Sequence, residues 1–181
     1  MLRFNSLLQS ADLDPNGVRL VRHKHRREYQ RLLYQDAIRG DVRFEQYQAG
    51  QRNPRVIEQI RTAVAIASFV VDPANHTVFV GVWRVLGRQV ECLPDPYYLV
   101  PQQAQGGVVT FDLEAMSELG HYAGCVVVDW GDGERAWVQY ASRHDKAIVE
   151  VKRRAEEEHF PGFARFACGL HEVDALPSTW L

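Results

Sequence analysis

Through residue 62, apart from one strand-like run at 18–21, the apolar positions recur at three- and four-residue spacing, and from residue 63 they mostly alternate or run together as strands do. Phe4, Leu7 and Leu8 predict a short helix that ends before the turn at residues 12–17. Residues 18–21 read as a first strand, followed by Arg22, His23 and Lys24. A helix is expected over 28–38, with Tyr29, Leu32, Leu33 and Ala37 on one face and Gly40 as its stop. Asp41 is placed to cap a second short helix that carries Phe44 and Tyr47. Asn53 followed by Pro54 is a start signal for a third, whose Val56, Ile57 and Ile60 face the core.

Residues 63–71 and 77–85 flank the turn-rich connection 72–76 and predict a long hairpin. Simple alternation puts Phe79, Gly81 and Trp83 on one face and Val78, Val80 and Val82 on the other. A glycine between two aromatics in a strand signals a bulge or a close backbone approach. Residues 86–107 carry Pro94, Pro96, Pro101 and two adjacent glycines, and read as a long ordered loop that covers a ligand, with Tyr97 and Tyr98 beside its prolines. Further strands are expected at 108–113, 146–151 and 163–166, with helical turns at 114–119 and 170–176. The total is about six or seven strands with helices near the N-terminus, an α+β chain. Apolar residues on both strand faces favour a strongly curved, mostly antiparallel sheet or small β-barrel over a flat sheet. The length of 181 residues is that of one domain, here taken as 1–181.

The stretch 124–140, GCVVVDWGDGERAWVQY, concentrates the chemistry. Residues 126–128 and 135–140 read as the two strands of a hairpin joined by the Gly-Asp-Gly turn. Asp129 and Trp130 then end one strand, and Arg135 and Trp137 open the other. A carboxylate, two indoles and a guanidinium at one hairpin end suit a planar, hydrogen-bonding ligand. On residue chemistry alone the same residues better suit a structural ion pair and core aromatics, since polar groups at hairpin ends commonly serve the turn.

Charge changes the picture next. The net charge of −2 divides into +5 over residues 1–62 and −7 over 63–181. The basic part centres on residues 19–31, where Arg22, His23, Lys24 and Arg26 stand close together. Such a run neutralises phosphates or forms a solvated surface. The acidic remainder argues against coating nucleic acid and allows docking by one face.

Several classes are not indicated. Cys92, Cys125 and Cys168 are odd in number and widely spaced, so neither a disulfide framework nor a zinc site is expected, as suits a cytoplasmic protein. No apolar run reaches the roughly 18 residues of a membrane helix, and residues 1–14 lack the pattern of a signal peptide. Phosphate loops of the G-x-x-x-x-G-K type and the G-x-S-x-G elbow are absent. His23-x-His25 has no further ligand at metal spacing, and Cys125 opens an apolar strand. No catalytic set, cofactor or metal is called for, and a binding domain is expected instead of an enzyme. A base taken out of a duplex is held by stacking and by hydrogen bonds to its edge. An ionised Asp accepts from the exocyclic amine of cytosine.

VRLVRH at 18–23, ASFV at 67–70, TVFVGVWRV at 77–85, VVVDWGDGERAWVQ at 126–139, FPGFARF at 160–166 and VDALPSTW at 173–180 stand in the order seen in the N-terminal region of a group of bacterial GIY-YIG nuclease family proteins, which the chain resembles. In that group the nuclease module follows the tryptophan that matches Trp180. Neither a GIY nor a YIG tripeptide occurs here, so cleavage is expected to belong to a covalently linked nuclease domain outside this chain. The order of elements also looks like the PUA-like superfamily of EVE, ASCH and SRA readers. That likeness implies recognition of a modified base, often flipped, for a restriction or phage-defence nuclease, by analogy of fold alone. The matching positions are Arg22, His23, Ser68, Phe69, Asp129, Trp130, Arg135 and Trp137, with Trp83 in the shared strand motif. On the chemical reading, Trp130 or Trp137 stacks on the base and Asp129 reads its edge. Ser68, Phe69, Trp83 and Arg135 complete the base-binding set, and Arg22, His23, Lys24 and Arg26 hold phosphates. The partner expected is DNA carrying a modified cytosine. A PUA-like RNA-binding module, or a small-ligand or protein-interaction domain regulating an attached enzyme, remains open, as does the oligomeric state.

Overall fold

The structure is a computed structural model that describes residues 2–91, 97, 108–131 and 137–151. Among these residues four α-helices precede most of the sheet: α1 (Phe4–Gln9), α2 (Arg27–Arg39), α3 (Val42–Ala49) and α4 (Pro54–Arg61). Their ends follow local chemistry. Gly40 closes α2 in the left-handed region at φ 69°, where an L side chain is strained. The Asp41 carboxylate accepts from the backbone N–H of Arg43 at 2.9 Å, and the Asn53 side chain accepts from that of Arg55 at 2.9 Å. Along α2 the buried stripe runs through Gln30, Leu33 and Ala37, and Leu32 lies off it at 47% exposure, correcting its expected place on the core face.

Among the described residues eight strands form one strongly curled, half-barrel sheet. They are β1 (Val18–His23), β2 (Gly50–Gln51), β3 (Ala65–Val71), β4 (Thr77–Glu91), β5 (Val108–Ala115), β6 (Val126–Asp129), β7 (Val138–Tyr140) and β8 (Ala147–Val151). The fold is therefore α+β with a mostly antiparallel curved sheet. Among the described residues β1 and β3 make the parallel pair, and α2 to α4 lie in the connection between them. The β3–β4 hairpin forms as its turn predicts, but β4 continues to Glu91, into the stretch expected to be loop.

Two strand expectations are corrected. β6 and β7 are not a hairpin: β6 pairs with β4 and β8, and β7 pairs with β1. Both edges of β6 are thereby occupied, so its neighbour in sequence takes the free edge of β1. The faces of β4 also change partway along it. Ser68 pairs with Gly81 and Phe69 with Phe79, leaving Val80 as the extra residue of a β-bulge. Phe79 and Val82 consequently enter one core, and Val80 and Trp83 the other. Gly81 permits this at φ 148°, and the Trp83 ring lies across it.

The two faces carry separate cores. On one, α1 inserts Phe4, Leu7 and Leu8 against Leu20, Phe69 and Phe79. On the other, α2, α3 and α4 cover the sheet with Leu33, Phe44 and Ile60 against Val21 and Ile66. The expected elements at 163–166 and 170–176 lie outside the described residues. No helix among the described residues is long and apolar enough to cross a membrane.

Candidate nucleic-acid interface

The pairing brings one set of strand ends together. β1 and β3 run parallel, so His23 and Val70 finish side by side. β4 begins there with Thr77 against Val71, and β6 ends there with Val128 opposite Thr77. β8 starts beside it, with Ala147 opposite Asp129. The segment entering β7 arrives at the same end, where the N–H of Arg22 donates to the carbonyl of Trp137 at 2.7 Å. Arg22, Lys24, Asp129, Trp130 and Trp137, far apart in sequence, thus gather at one end of the half-barrel.

Alternation along β1 decides which cations can act. Arg22 points to the face of Trp130, and His23 to the opposite face under α3. The Arg22 guanidinium stands 5.6 Å from the Trp130 ring centroid, within cation–π range. Burial lowers its pKa from the ordinary value, though a guanidinium stays charged. Lys146, which sequence reasoning missed, sits on the same indole with Nζ 4.7 Å from the centroid, and donates to the Trp130 carbonyl at 2.8 Å. Its only signal in the sequence is a lysine at the start of a strand.

The two tryptophans have different roles. Trp130 is 4% exposed and packs edge-on against Phe69 at 5.4 Å, so it is a core residue with cations over its ring. Trp137 is 50% exposed. The β1–β7 register places it opposite Arg22, and opposite residues of an antiparallel pair share a face. Asp129 is exposed, and its Oδ1 accepts from the Gly131 N–H at 2.9 Å. Arg135 lies outside the described residues.

Three expected base-binding residues are elsewhere. Ser68 is fully buried and its Oγ donates to Gln48 Oε1 at 2.8 Å, tying β3 to α3. Phe69 is fully buried on the other face, packed on Phe4 at 4.9 Å and on Phe79 at 5.7 Å. Trp83 is buried beneath α3, with Nε1 donating to Glu45 Oε1 at 3.4 Å. All three serve packing. His23 is corrected as well: it is 6% exposed, edge-on to Phe44, and burial pushes its pKa down to about 3. A neutral, enclosed imidazole offers no charge to a phosphate.

The basic run remains at the surface beyond His23. Lys24 and Arg26 are exposed, and Lys24 Nζ donates to Asn75 Oδ1 at 3.2 Å. A cleft of about 590 Å³ opens between the start of α2 and the β3–β4 turn, lined by Lys24, His25, Arg27, Arg31, Asp72 and Asn75 among others. Tyr97, expected in a covering loop, is buried against Tyr47 and His25. Among the described residues, no group of three His, Cys, Asp or Glu side chains is placed to hold a metal ion.

Comparison of the chain with family models, with curated proteins and with solved structures gives no match.

Proposed function

We propose that this chain is a DNA-binding sensor domain that takes a modified cytosine and performs no cleavage of its own. The observation that carries the reading is the half-exposed Trp137 opposite Arg22, at a sheet end that also presents Asp129, Lys24 and Arg26. An exposed indole offers a stacking platform to a base removed from the duplex, and an exposed carboxylate, with one oxygen on the Gly131 N–H, accepts from the cytosine amine through the other. Arg22, Lys24 and Arg26 hold the flanking phosphates, an interaction that sets register without reading sequence. A modification-dependent restriction or phage-defence nuclease, with its catalytic domain covalently linked, is the setting in which such a sensor works.

The test is binding to matched short duplexes carrying cytosine, 5-methylcytosine, 5-hydroxymethylcytosine or its glucosylated form, at two salt concentrations. A preference for one modified duplex that persists at the higher salt, and is lost in Trp137→Ala, is the expected result. Weak binding to all four that disappears with salt removes the sensor reading. Tighter binding to single-stranded RNA than to any duplex replaces DNA with RNA.

A further inference from the structure

We infer that the cleft between α2 and the β3–β4 turn is a phosphate site that takes the terminal phosphate monoester of a nucleic-acid strand. This rests on the proposed DNA-binding role and adds a site to it. Lys24, Arg27 and Arg31 all face this one recess. Arg27 and Arg31 are four residues apart on α2, a spacing at which like charges repel. None of the three has an ion-pair partner among the described residues; Lys24 has only the amide of Asn75. The carboxylate in the lining, Asp72, is already engaged. Its Oδ1 accepts from the His76 N–H at 2.8 Å, and its Oδ2 lies 3.1 Å from His76 Nδ1. Three cations around one cavity outnumber its single carboxylate, which is turned to its own hairpin, and an anionic ligand offsets that excess of positive charge.

Shape and charge favour a strand end over an internal phosphate. A phosphodiester carries one charge and a sugar on either side, and it lies along a surface. A terminal monoester carries nearly two charges at neutral pH and three free oxygens, and it can enter a recess end-on. A volume of about 590 Å³ is that of a small-ligand pocket, with room for the terminal nucleotide as well as its phosphate. Pro73 provides apolar wall for its sugar.

The experiment uses the whole chain and one duplex sequence with 5′-phosphate or 5′-hydroxyl ends, with inorganic phosphate as competitor. The expected result is about tenfold tighter binding of the phosphorylated duplex, the effect of one added charge-assisted hydrogen bond. Inorganic phosphate should erase that preference, and so should the double change Arg27→Gln with Arg31→Gln. Both positions are exposed, and an unchanged melting temperature confirms that the variant is folded. Equal affinity for the two ends, or a preference that survives the double change, overturns the inference. If neither duplex binds while inorganic phosphate still raises the melting temperature of the unsubstituted chain, the nucleic-acid reading fails. The strand end then fails with it as the source of the phosphate.

Discussion

The guanidinium of Arg22 lies over the indole of Trp130, 5.6 Å from the ring centroid, while its backbone N–H is hydrogen-bonded to Trp137. One residue thus links a buried tryptophan to an exposed one. The arrangement separates a buried aromatic from a solvent-facing one, two environments that adjacent sequence motifs had left interchangeable.

Trp137→Ala should weaken binding of the preferred duplex by about 1–3 kcal/mol, the cost of a lost base-stacking surface. It should change stability by no more than about 0.5 kcal/mol, as for other exposed positions. Phe69→Ala should do the reverse and cost about 3–5 kcal/mol of stability, because its ring fills the core between Phe4 and Phe79. Salt-dependent binding and urea melts of both variants give the comparison. A Phe69→Ala chain that keeps its stability and loses base discrimination would return that residue to the site.

Ser68→Ala should cost about 1–3 kcal/mol, because it leaves the buried Gln48 oxygen without its donor. Replacing both partners, Ser68→Ala with Gln48→Leu, should cost less than the sum of the single changes. A double-mutant cycle by chemical denaturation measures the coupling, and a coupling near zero would remove the β3–α3 tie.

His23 should make the fold acid-sensitive. Its folded-state pKa is near 3, below the ordinary value of about 6.5, so between these limits the unfolded chain binds the extra proton. The stability it contributes is complete above about pH 6.5 and is lost as pH falls toward 3, by at most about 1.4 kcal/mol per pH unit. His121 is shifted the same way by burial, so the quantity to follow is the difference between the native chain and His23→Phe. Stability curves from pH 7.5 to 4 that run parallel for the two would show that His23 does not titrate with unfolding.

Gly81→Ala should be severe. A Cβ there would stand 2.8 Å from Trp83 Cη2, and the backbone φ of 148° is one that alanine resists. Strain of about 1–3 kcal/mol adds to a similar overpacking cost. The double change Gly81→Ala with Trp83→Leu should recover the overpacking part and leave the strain, as read from denaturation midpoints.

Local signals were enough to place helices and most strands. The Asp41 and Asn53 caps, the Gly40 stop and the 72–76 turn act within a few residues of themselves, and each did what its chemistry requires. The sheet curvature was legible too, because strands apolar on both faces must be covered on both. Strand partners were not. Residues 126–140 carry every mark of a hairpin, yet edge hydrogen bonding is a competition among all strands, and β4, β8 and β1 won it. Period-two counting failed at Val80, since one bulged residue reverses every later side chain, and this is what sent Trp83 away from Phe79. By itself, then, the sequence determined the element types, their caps, and a basic segment beside a tryptophan-rich one. Tertiary structure alone decided which tryptophan faces solvent, that His23 is enclosed and Arg22 is not, and that three cations converge on one cleft. Burial and convergence depend on contacts between residues distant in the chain, which no local pattern encodes.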